Sequence, residues 1–95
     1  MDLRLTGKRA IVTGSSSGIG EGIAKTLARE GAAIVVQGRN EKSARRVQQE
    51  IDAAGGKAIV AVGDLSTDEG AKRVAETALS EFGAIDILVN NAGAY

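Results

Sequence analysis

The sequence predicts an α/β fold in which a parallel β-sheet lies between layers of α-helices. Two observations favour this class. Short apolar runs rich in isoleucine and valine recur along the chain without alternating with polar residues, as strands require when both faces of a sheet are covered. The segments between these runs have the spacing of amphipathic helices. We therefore expect a repeated strand–helix series, and the 95 residues set a ceiling of one domain.

Four apolar runs predict the strands. They are AIV at 10–12, AIVV at 33–36, AIVAV at 58–62 and ILV at 87–89. Right-handed crossovers carry strands one to three in one direction, and the third helix then returns the chain to place strand four beside strand one. The predicted strand order is 3-2-1-4. Composition alone leaves open a doubly wound arrangement in which strand two or three neighbours strand four.

The first two helices have recognisable ends. The first is predicted to end at Gly31 and to bury one apolar face. That face contains Ile19, Ile23, Ala24, Leu27 and Ala28. The second is predicted to begin at the N-cap Asn40 and to gain support from the Glu41–Arg45 pair, whose members lie four residues apart. The glycines at 55–56 end it.

The third helix opens with the sequence STDE. Ser66 and Glu69 have the spacing of a capping box, and Gly83 is the predicted stop. One face is predicted to be buried. It contains Ala71, Val74, Ala75, Ala78, Leu79 and Phe82.

The overall composition excludes several classes of function. Lysine plus arginine number 12, as do aspartate plus glutamate, so the net charge is zero. Because no excess of positive charge would attract a nucleic acid or a membrane surface, neither partner is predicted. Cysteine and histidine are absent, which removes disulfides, thiolate and imidazole chemistry and the commonest zinc ligands. No metal site is predicted. No apolar run approaches the roughly 18 to 20 residues that span a bilayer, and MDLRLTGKRA lacks a signal-peptide core. A cytoplasmic location is the expectation.

The glycine-rich stretch TGSSSGIG at 13–20 joins the first strand to the first helix. Gly14 directly follows the strand, while Gly18 and Gly20 fall where the helix begins. Unpaired N–H groups and the positive end of the helix dipole favour a phosphate there, and glycine lets a pyrophosphate approach closely. The stretch lacks the Lys-Ser/Thr ending of a triphosphate loop, which disfavours ATP and GTP. A flexible turn without a ligand is the alternative, although such turns are usually short and need no three spaced glycines.

Three motifs carry a family resemblance. TGSSSGIG at 13–20, GDL at 63–65 and NNAG at 90–93 resemble, in order and spacing, the amino-terminal half of the short-chain dehydrogenase/reductase family. The resemblance covers essentially the whole chain. It implies that residues 1–95 are the amino-terminal part of a single NAD(P)-binding Rossmann domain of three α/β/α layers, with the remainder of the domain absent.

The resemblance also implies roles for individual residues. The three glycines line the pyrophosphate, Asp64 and the backbone of Leu65 meet the adenine, and Asn90 lies beside the ribose while helping to hold the central strands. Plainer alternatives exist for two of these. Asp64 could end a strand and prepare a cap at Ser66, and Asn90 with Asn91 could be ordinary turn residues. Their common position after parallel strands favours the binding roles.

The end of the second strand favours NADP(H) over NAD(H). An NAD site usually places a carboxylate there to accept the ribose 2′-OH. Gly38 stands at about that position, and Arg39 follows with a guanidinium suited to a 2′-phosphate. A solvated arginine is the alternative. The complete set of predicted cofactor-binding residues is Gly14, Ser15, Ser16, Gly18, Ile19, Gly20, Arg39, Asp64, Leu65, Asn90, Ala92 and Gly93.

The catalytic part of the family pattern is missing. By resemblance, a tyrosine and a lysine four residues later serve hydride transfer to a small carbonyl or from an alcohol. The only tyrosine is Tyr95, and no residue follows it, so we assign no catalytic residue. The chain is interpreted as a fragment of an NADP-dependent oxidoreductase whose full-length parent is a homo-oligomer. A catalytically silent dinucleotide-binding or interaction module is the alternative.

The predicted topology leaves part of the sheet uncovered. Strand four has a partner on one side only, and the third helix lies alone on its face of the sheet. We therefore expect the 95-residue chain to be marginally folded or to self-associate.

Overall fold

A computed structural model of the chain describes residues 4–91. Within these residues the elements are β1 (Arg9–Val12), α1 (Gly18–Arg29), β2 (Ala33–Gly38), α2 (Glu41–Ala53), β3 (Lys57–Val62), α3 (Asp68–Phe82) and β4 (Ile87–Val89). Each strand contains the apolar run that predicts it. The predicted alternation of strands and helices is confirmed. Between residues 4 and 91, no helix is both long enough and apolar enough to cross a lipid bilayer.

The four strands form one parallel sheet in the order β3-β2-β1-β4, which confirms the predicted Rossmann-type order. Ile11 of β1 pairs with Val35 of β2 on one side and with Leu88 of β4 on the other. Because all four strands are parallel, their carboxyl ends and the loops that follow them meet at one edge of the sheet. In the described part of the chain, β4 pairs with β1 alone.

Two apolar cores lie on opposite faces of the sheet. Ala24 of α1 and Val47 of α2 pack with the fully buried Ile34 on one face. Val74 of α3 packs with Val35 on the other face. The prediction that the third helix lies alone on its face is therefore confirmed for residues 4–91.

The start of α2 is as predicted. Oδ1 of Asn40 accepts a hydrogen bond from the backbone N of Ser43 at 3.0 Å, so this asparagine is the N-cap. Arg45 forms an ion pair with Glu41 at 2.8 Å one turn along the helix. Both features stabilise the first turns of α2 locally.

The start of α3 differs from the prediction. Thr67 is the N-cap, and its hydroxyl accepts a hydrogen bond from the backbone N of Gly70 at 3.0 Å. Ser66 instead donates through both its backbone N and its hydroxyl to Oδ1 of Asp64, at 2.9 and 2.6 Å. The predicted capping box from Ser66 to Glu69 is wrong because this Asx turn engages Ser66, which lies one residue before the N-cap Thr67.

Two predictions of burial also need correction. Ile19, in the first turn of α1, is 78% exposed and does not belong to the buried face of the helix. On α3 only two residues of the predicted face are buried, Val74 and Ala78. Leu79 is exposed, as are Ala71 and Ala75, while Phe82 is half-buried. No helix among residues 4–91 packs beside α3, so the helix buries only the narrow stripe that touches the sheet.

Candidate functional site

A groove crosses the carboxyl edge of the sheet above β1, β2 and β3. Its volume is about 360 Å³, and it brings together loops that are distant in sequence. The lining residues are Gly14, Ser16, Ser17, Gln37, Gly38, Arg39, Asp64, Leu65 and Ser66. A larger depression of about 660 Å³ lies between α1 and α2 at the opposite end of the strands, and it contains none of the predicted site residues.

Some of the predicted site residues line the groove, and others lie outside it. Five of them line the groove: Gly14, Ser16, Arg39, Asp64 and Leu65. Gly18 and Ile19 lie at the start of α1 beside the groove, and Asn90 follows β4. Ala92 and Gly93 fall outside the described residues, as does Tyr95.

The start of α1 offers backbone donors to a ligand. Gly18 has a φ of 59°, which favours glycine, and no atom from elsewhere in the described chain lies within 4 Å of where its β-carbon would be. No side chain caps this helix at Ser17, whereas the other two helices are capped. The first-turn N–H groups and the helix dipole are therefore suited to an anion such as a pyrophosphate.

The other two glycines of the loop hold it together. The N–H of Gly14 donates to Oε1 of Gln37 at 2.7 Å, so it is already engaged within the protein. Gly20 is buried, and a β-carbon there would clash with the carbonyl oxygen of Gly14 and with Nδ2 of Asn91. Gly20 thus allows α1 to pack closely beneath the loop, which is a structural role different from the predicted contact with a pyrophosphate.

Ser15 also has a different place from the one predicted. Its side chain is fully buried, and its hydroxyl accepts a hydrogen bond from the backbone N of Gln37 at 2.9 Å. Its own N–H donates to the carbonyl of Gln37 at 2.8 Å. Ser15 therefore fastens the glycine loop to the end of β2 and presents no hydroxyl to the groove.

Gln37 is the principal side chain that the sequence does not predict. It is 2% exposed, and its amide group donates from Nε2 to the carbonyl of Gly63 at 2.8 Å while Oε1 accepts from Gly14. One side chain thus connects the end of β2 to the loops after β1 and β3. The signal was present in the sequence, because a glutamine inside the apolar run AIVVQG must find hydrogen-bond partners when buried.

Arg39 and Asp64 give the groove one cation and one anion. Asp64 accepts hydrogen bonds from the hydroxyl and the backbone N of Ser66, and these bonds, with a smaller effect of the Arg39 charge, lower the pKa of the Asp64 carboxyl. The carboxylate is therefore ionised and fixed in position. Arg39 is exposed and follows Gly38 directly, so its guanidinium is free to approach a ligand anion.

The loop after β4 is tied to the loop after β1 through Thr13. Oγ1 of Thr13 lies 3.3 Å from both the carbonyl oxygen of Val89 and Oδ1 of Asn90, and it accepts a hydrogen bond from the backbone N of Asn91 at 2.9 Å. Nδ2 of Asn91 donates to the carbonyl of Gly14 at 3.3 Å. Both asparagines therefore help to hold the central strands, and Asn91 makes the contact with the glycine loop.

Comparison with known proteins gives a consistent result. The family model described as short chain dehydrogenase matches residues 8–95. The chain is 50% identical over 93 residues to an uncharacterized oxidoreductase of Methylorubrum extorquens, covering 97% of this chain and 38% of that protein. It is 45% identical over 92 residues to 7alpha-hydroxysteroid dehydrogenase of Escherichia coli, covering 97% of this chain and 36% of that protein. The chain thus spans little more than a third of the length of these relatives.

Solved structures agree with the sequence relatives. A 7alpha-hydroxysteroid dehydrogenase complexed with NADH and 7-oxo glycochenodeoxycholic acid is 43% identical with a TM-score of 0.90, over 94% of this chain and 35% of that one. A metagenomic short-chain oxidoreductase in complex with NADP is 43% identical with a TM-score of 0.88, over 96% of this chain and 41% of that one. One neighbour holds NADH and the other NADP, so the likeness alone does not choose between the two cofactors.

Proposed function

The chain belongs to the short-chain dehydrogenase family, and on that basis we propose that it is the cofactor-binding amino-terminal part of an NADP(H)-dependent oxidoreductase. The observation that carries the choice of cofactor is the end of β2, where Gly38 supplies no acid and Arg39 lines the groove. An acid would accept the ribose 2′-OH of NAD, whereas a guanidinium is complementary to the 2′-phosphate of NADP.

The residues of the groove fit a dinucleotide in this orientation. The uncapped start of α1 at Gly18 would receive the pyrophosphate, because its N–H groups and dipole favour an anion. Asp64 and the backbone of Leu65 would contact the adenine, and Asn90 would lie beside the ribose. The nicotinamide supplies the hydride when the cofactor is bound, and this chain's contribution is to bind and orient the adenosine half.

The proposal includes the remaining expectations from the sequence. The full-length parent acts on a small carbonyl or alcohol, is located in the cytoplasm and forms a homo-oligomer. The 95-residue chain by itself is proposed to be inactive, because residues 1–95 contain no tyrosine with a lysine four positions later. A catalytically silent dinucleotide-binding or interaction module, which would use the same groove, is the second candidate.

Paired titrations with NADPH and NADH test the cofactor assignment. A charge-assisted contact contributes about 1.5 to 3 kcal/mol, so we expect the unmodified chain to prefer NADPH by about tenfold or more at moderate salt. Arg39→Asp should reverse the order, because it removes the guanidinium and supplies an acid. Arg73→Asp makes the same charge change on α3, away from the groove, and should leave the preference unchanged.

Two results would contradict the assignment. Equal affinities, or a preference for NADH in the unmodified protein, would remove the case for NADP(H). Carbonyl-dependent oxidation of NADPH by homogeneous 95-residue material would disprove the proposed inactivity.

A further inference from the structure

We propose that Arg46, on α2, is a positioning residue for the phosphate-binding start of α1. Its guanidinium neutralises the carboxylate of Glu21, an acid in the first turn of α1 that would otherwise repel a bound diphosphate. The diphosphate is common to NADH and NADPH, so this role of Arg46 does not depend on the ribose substituent. This inference rests on the proposed dinucleotide-binding function and deepens it, because it adds a residue from a second helix to the site.

Glu21 carries a negative charge close to the N–H groups proposed for the diphosphate. It is the acidic residue of the first turn of α1, and its backbone N donates to the carbonyl of Ser17, the N-cap. Its side chain is only 18% exposed, so water screens this charge less than that of a fully exposed carboxylate. Because like charges repel, an uncompensated carboxylate at this position would lower the affinity for an anion at the start of the helix.

Arg46 reaches this carboxylate from the neighbouring helix. Nη2 of Arg46 donates to Oε1 of Glu21 at 2.7 Å, and Nη1 donates to Oε2 at 3.2 Å. A contact with both oxygens fixes the orientation of the carboxylate as well as neutralising its charge. Nη2 also lies 3.5 Å from the carbonyl oxygen of Ser16, a residue that lines the groove. The same nitrogen of Arg46 therefore contacts both the acid and the glycine loop.

Lys25 does not replace Arg46 in this role. Its ammonium is shared between two carboxylates, because Nζ lies 2.7 Å from Oε2 of Glu21 and 2.6 Å from Oε1 of Glu50. Lys25 also lies one turn of α1 further from the start of the helix than Glu21 does. Without Arg46, one ammonium would face two ionised carboxylates, and the group would have a net negative charge beside the glycine loop. With Arg46, the positive and negative charges of the group balance.

Titrations with ADP test the proposal, because ADP carries the diphosphate but neither a nicotinamide nor a 2′-phosphate. We expect Arg46→Gln to weaken ADP binding by about threefold or more at low salt, as Coulomb's law gives for one uncompensated charge roughly 6 Å away in water. The affinities for NADH and NADPH should fall by the same factor. At about 1 M salt, where charges are screened within a few Å, the difference should shrink. Adenosine, which lacks the diphosphate, should bind both proteins equally.

Further variants separate this role of Arg46 from a purely structural one. Adding Glu21→Gln to Arg46→Gln removes the uncompensated carboxylate and should restore ADP binding, although the thermal midpoint stays low because the ion pair is still missing. Arg46→Lys keeps the charge and should keep most of the ADP affinity. The matched control is Arg45→Gln, which removes the same charge from the next position of α2. Arg45 pairs with Glu41, so this variant should bind ADP like the unmodified chain.

The outcomes distinguish this inference from the proposed function. An ADP affinity that follows the thermal midpoint, without recovery in the double variant, overturns the role of Arg46 and leaves the proposed function intact. If Arg46→Gln does not fold, Glu21→Gln alone decides, because it adds net positive charge and should tighten ADP binding; equal or weaker binding overturns the proposal. An unmodified chain that binds neither ADP nor a dinucleotide overturns the proposed function, and the role of Arg46 with it.

Discussion

Gln37 shows how one buried amide can determine the shape of a surface groove. Oε1 of its side chain accepts a hydrogen bond from the N–H of Gly14, and Nε2 donates one to the carbonyl of Gly63. Its backbone N donates to the hydroxyl of Ser15. The loops after β1 and β3 are therefore bonded to the end of β2 in the chain without a ligand. Residues that would touch a nucleotide, such as Arg39, take their positions from this arrangement.

We expect Gln37→Met to destabilise the chain by about 2 kcal/mol or more, because it keeps the volume of the side chain but leaves a buried donor and a buried acceptor without partners. The free energy of unfolding in urea measures this change. Gln49→Met makes the same substitution on the exposed surface of α2 and should have little effect. Equal stabilities of the two variants would show that the amide of Gln37 does not hold the loops.

Among the helices, α1 and α2 are joined by four alternating charges. Glu21 and Lys25 of α1 form ion pairs with Arg46 and Glu50 of α2, at distances of 2.6 to 2.8 Å. Nη2 of Arg46 also lies 3.5 Å from the carbonyl of Ser16, so this group of charges reaches the glycine loop. These ion pairs connect the two helices, and Lys25 and Glu50 also line the depression at the other end of the strands.

The ion pairs of Glu21 predict how the stability of the chain changes with pH in the acid range. Hydrogen bonds from Arg46 and then Lys25 lower the pKa of Glu21 from its ordinary value of 4.5 to about 2. A lowered pKa in the folded state contributes stability that is present above pH 4.5 and is lost as the pH falls toward about 2. We expect Glu21→Gln to reduce stability at neutral pH and to flatten this part of the pH profile, measured by urea unfolding.

The control for this prediction is Glu76→Gln on α3. Glu76 is exposed and lies 3.9 Å from Lys72, so its ion pair contributes little. The other carboxyl of the group, Glu50, also has a lowered pKa, through Lys25 and then Arg46, so some acid sensitivity should persist in Glu21→Gln. Parallel pH profiles for the unmodified chain and Glu21→Gln would disprove the role of Glu21.

Across the described chain, the two faces of the sheet are covered unequally. α1 and α2 cover one face, whereas α3 covers only part of the other. Leu88 of the edge strand β4 is 66% exposed, and Leu79 of α3 is also exposed on this side. Apolar surface next to unpaired strand edges favours association with another copy of the chain.

We therefore expect the 95-residue chain to self-associate through β4 and the face beneath α3. Leu88→Lys should shift light scattering at micromolar concentration toward the monomer, because a charged edge strand resists pairing. Ile19→Lys, which makes the same kind of change at another exposed apolar side chain, on α1, should not shift the scattering. A stable monomer of the unmodified chain with amides at 87–89 protected from hydrogen exchange would contradict this prediction.

The sequence predicts the topology better than the contacts within the site. Buried parallel strands and right-handed crossovers leave few possible arrangements, and the order 3-2-1-4 is among them. The hydrogen bonds of Gln37 join residues 23 and 26 positions apart, so they depend on strand register that local patterns do not contain. The shift of the α3 cap from Ser66 to Thr67 has a similar cause, because Asp64 competes for Ser66.

The central position of β1 has a consequence for the order in which the sheet is made during protein synthesis. Of the four described strands, β1 is the first to be translated, yet Arg9 bonds to Asp86, a residue 77 positions later. β1 can pair with β2 as soon as β2 has been translated. Its other edge pairs with β4, which is translated only near the end of the described chain. Such distant pairings fold slowly. During that interval the nascent chain presents the free edge of β1, with Ile11 exposed, to chaperones and to other chains.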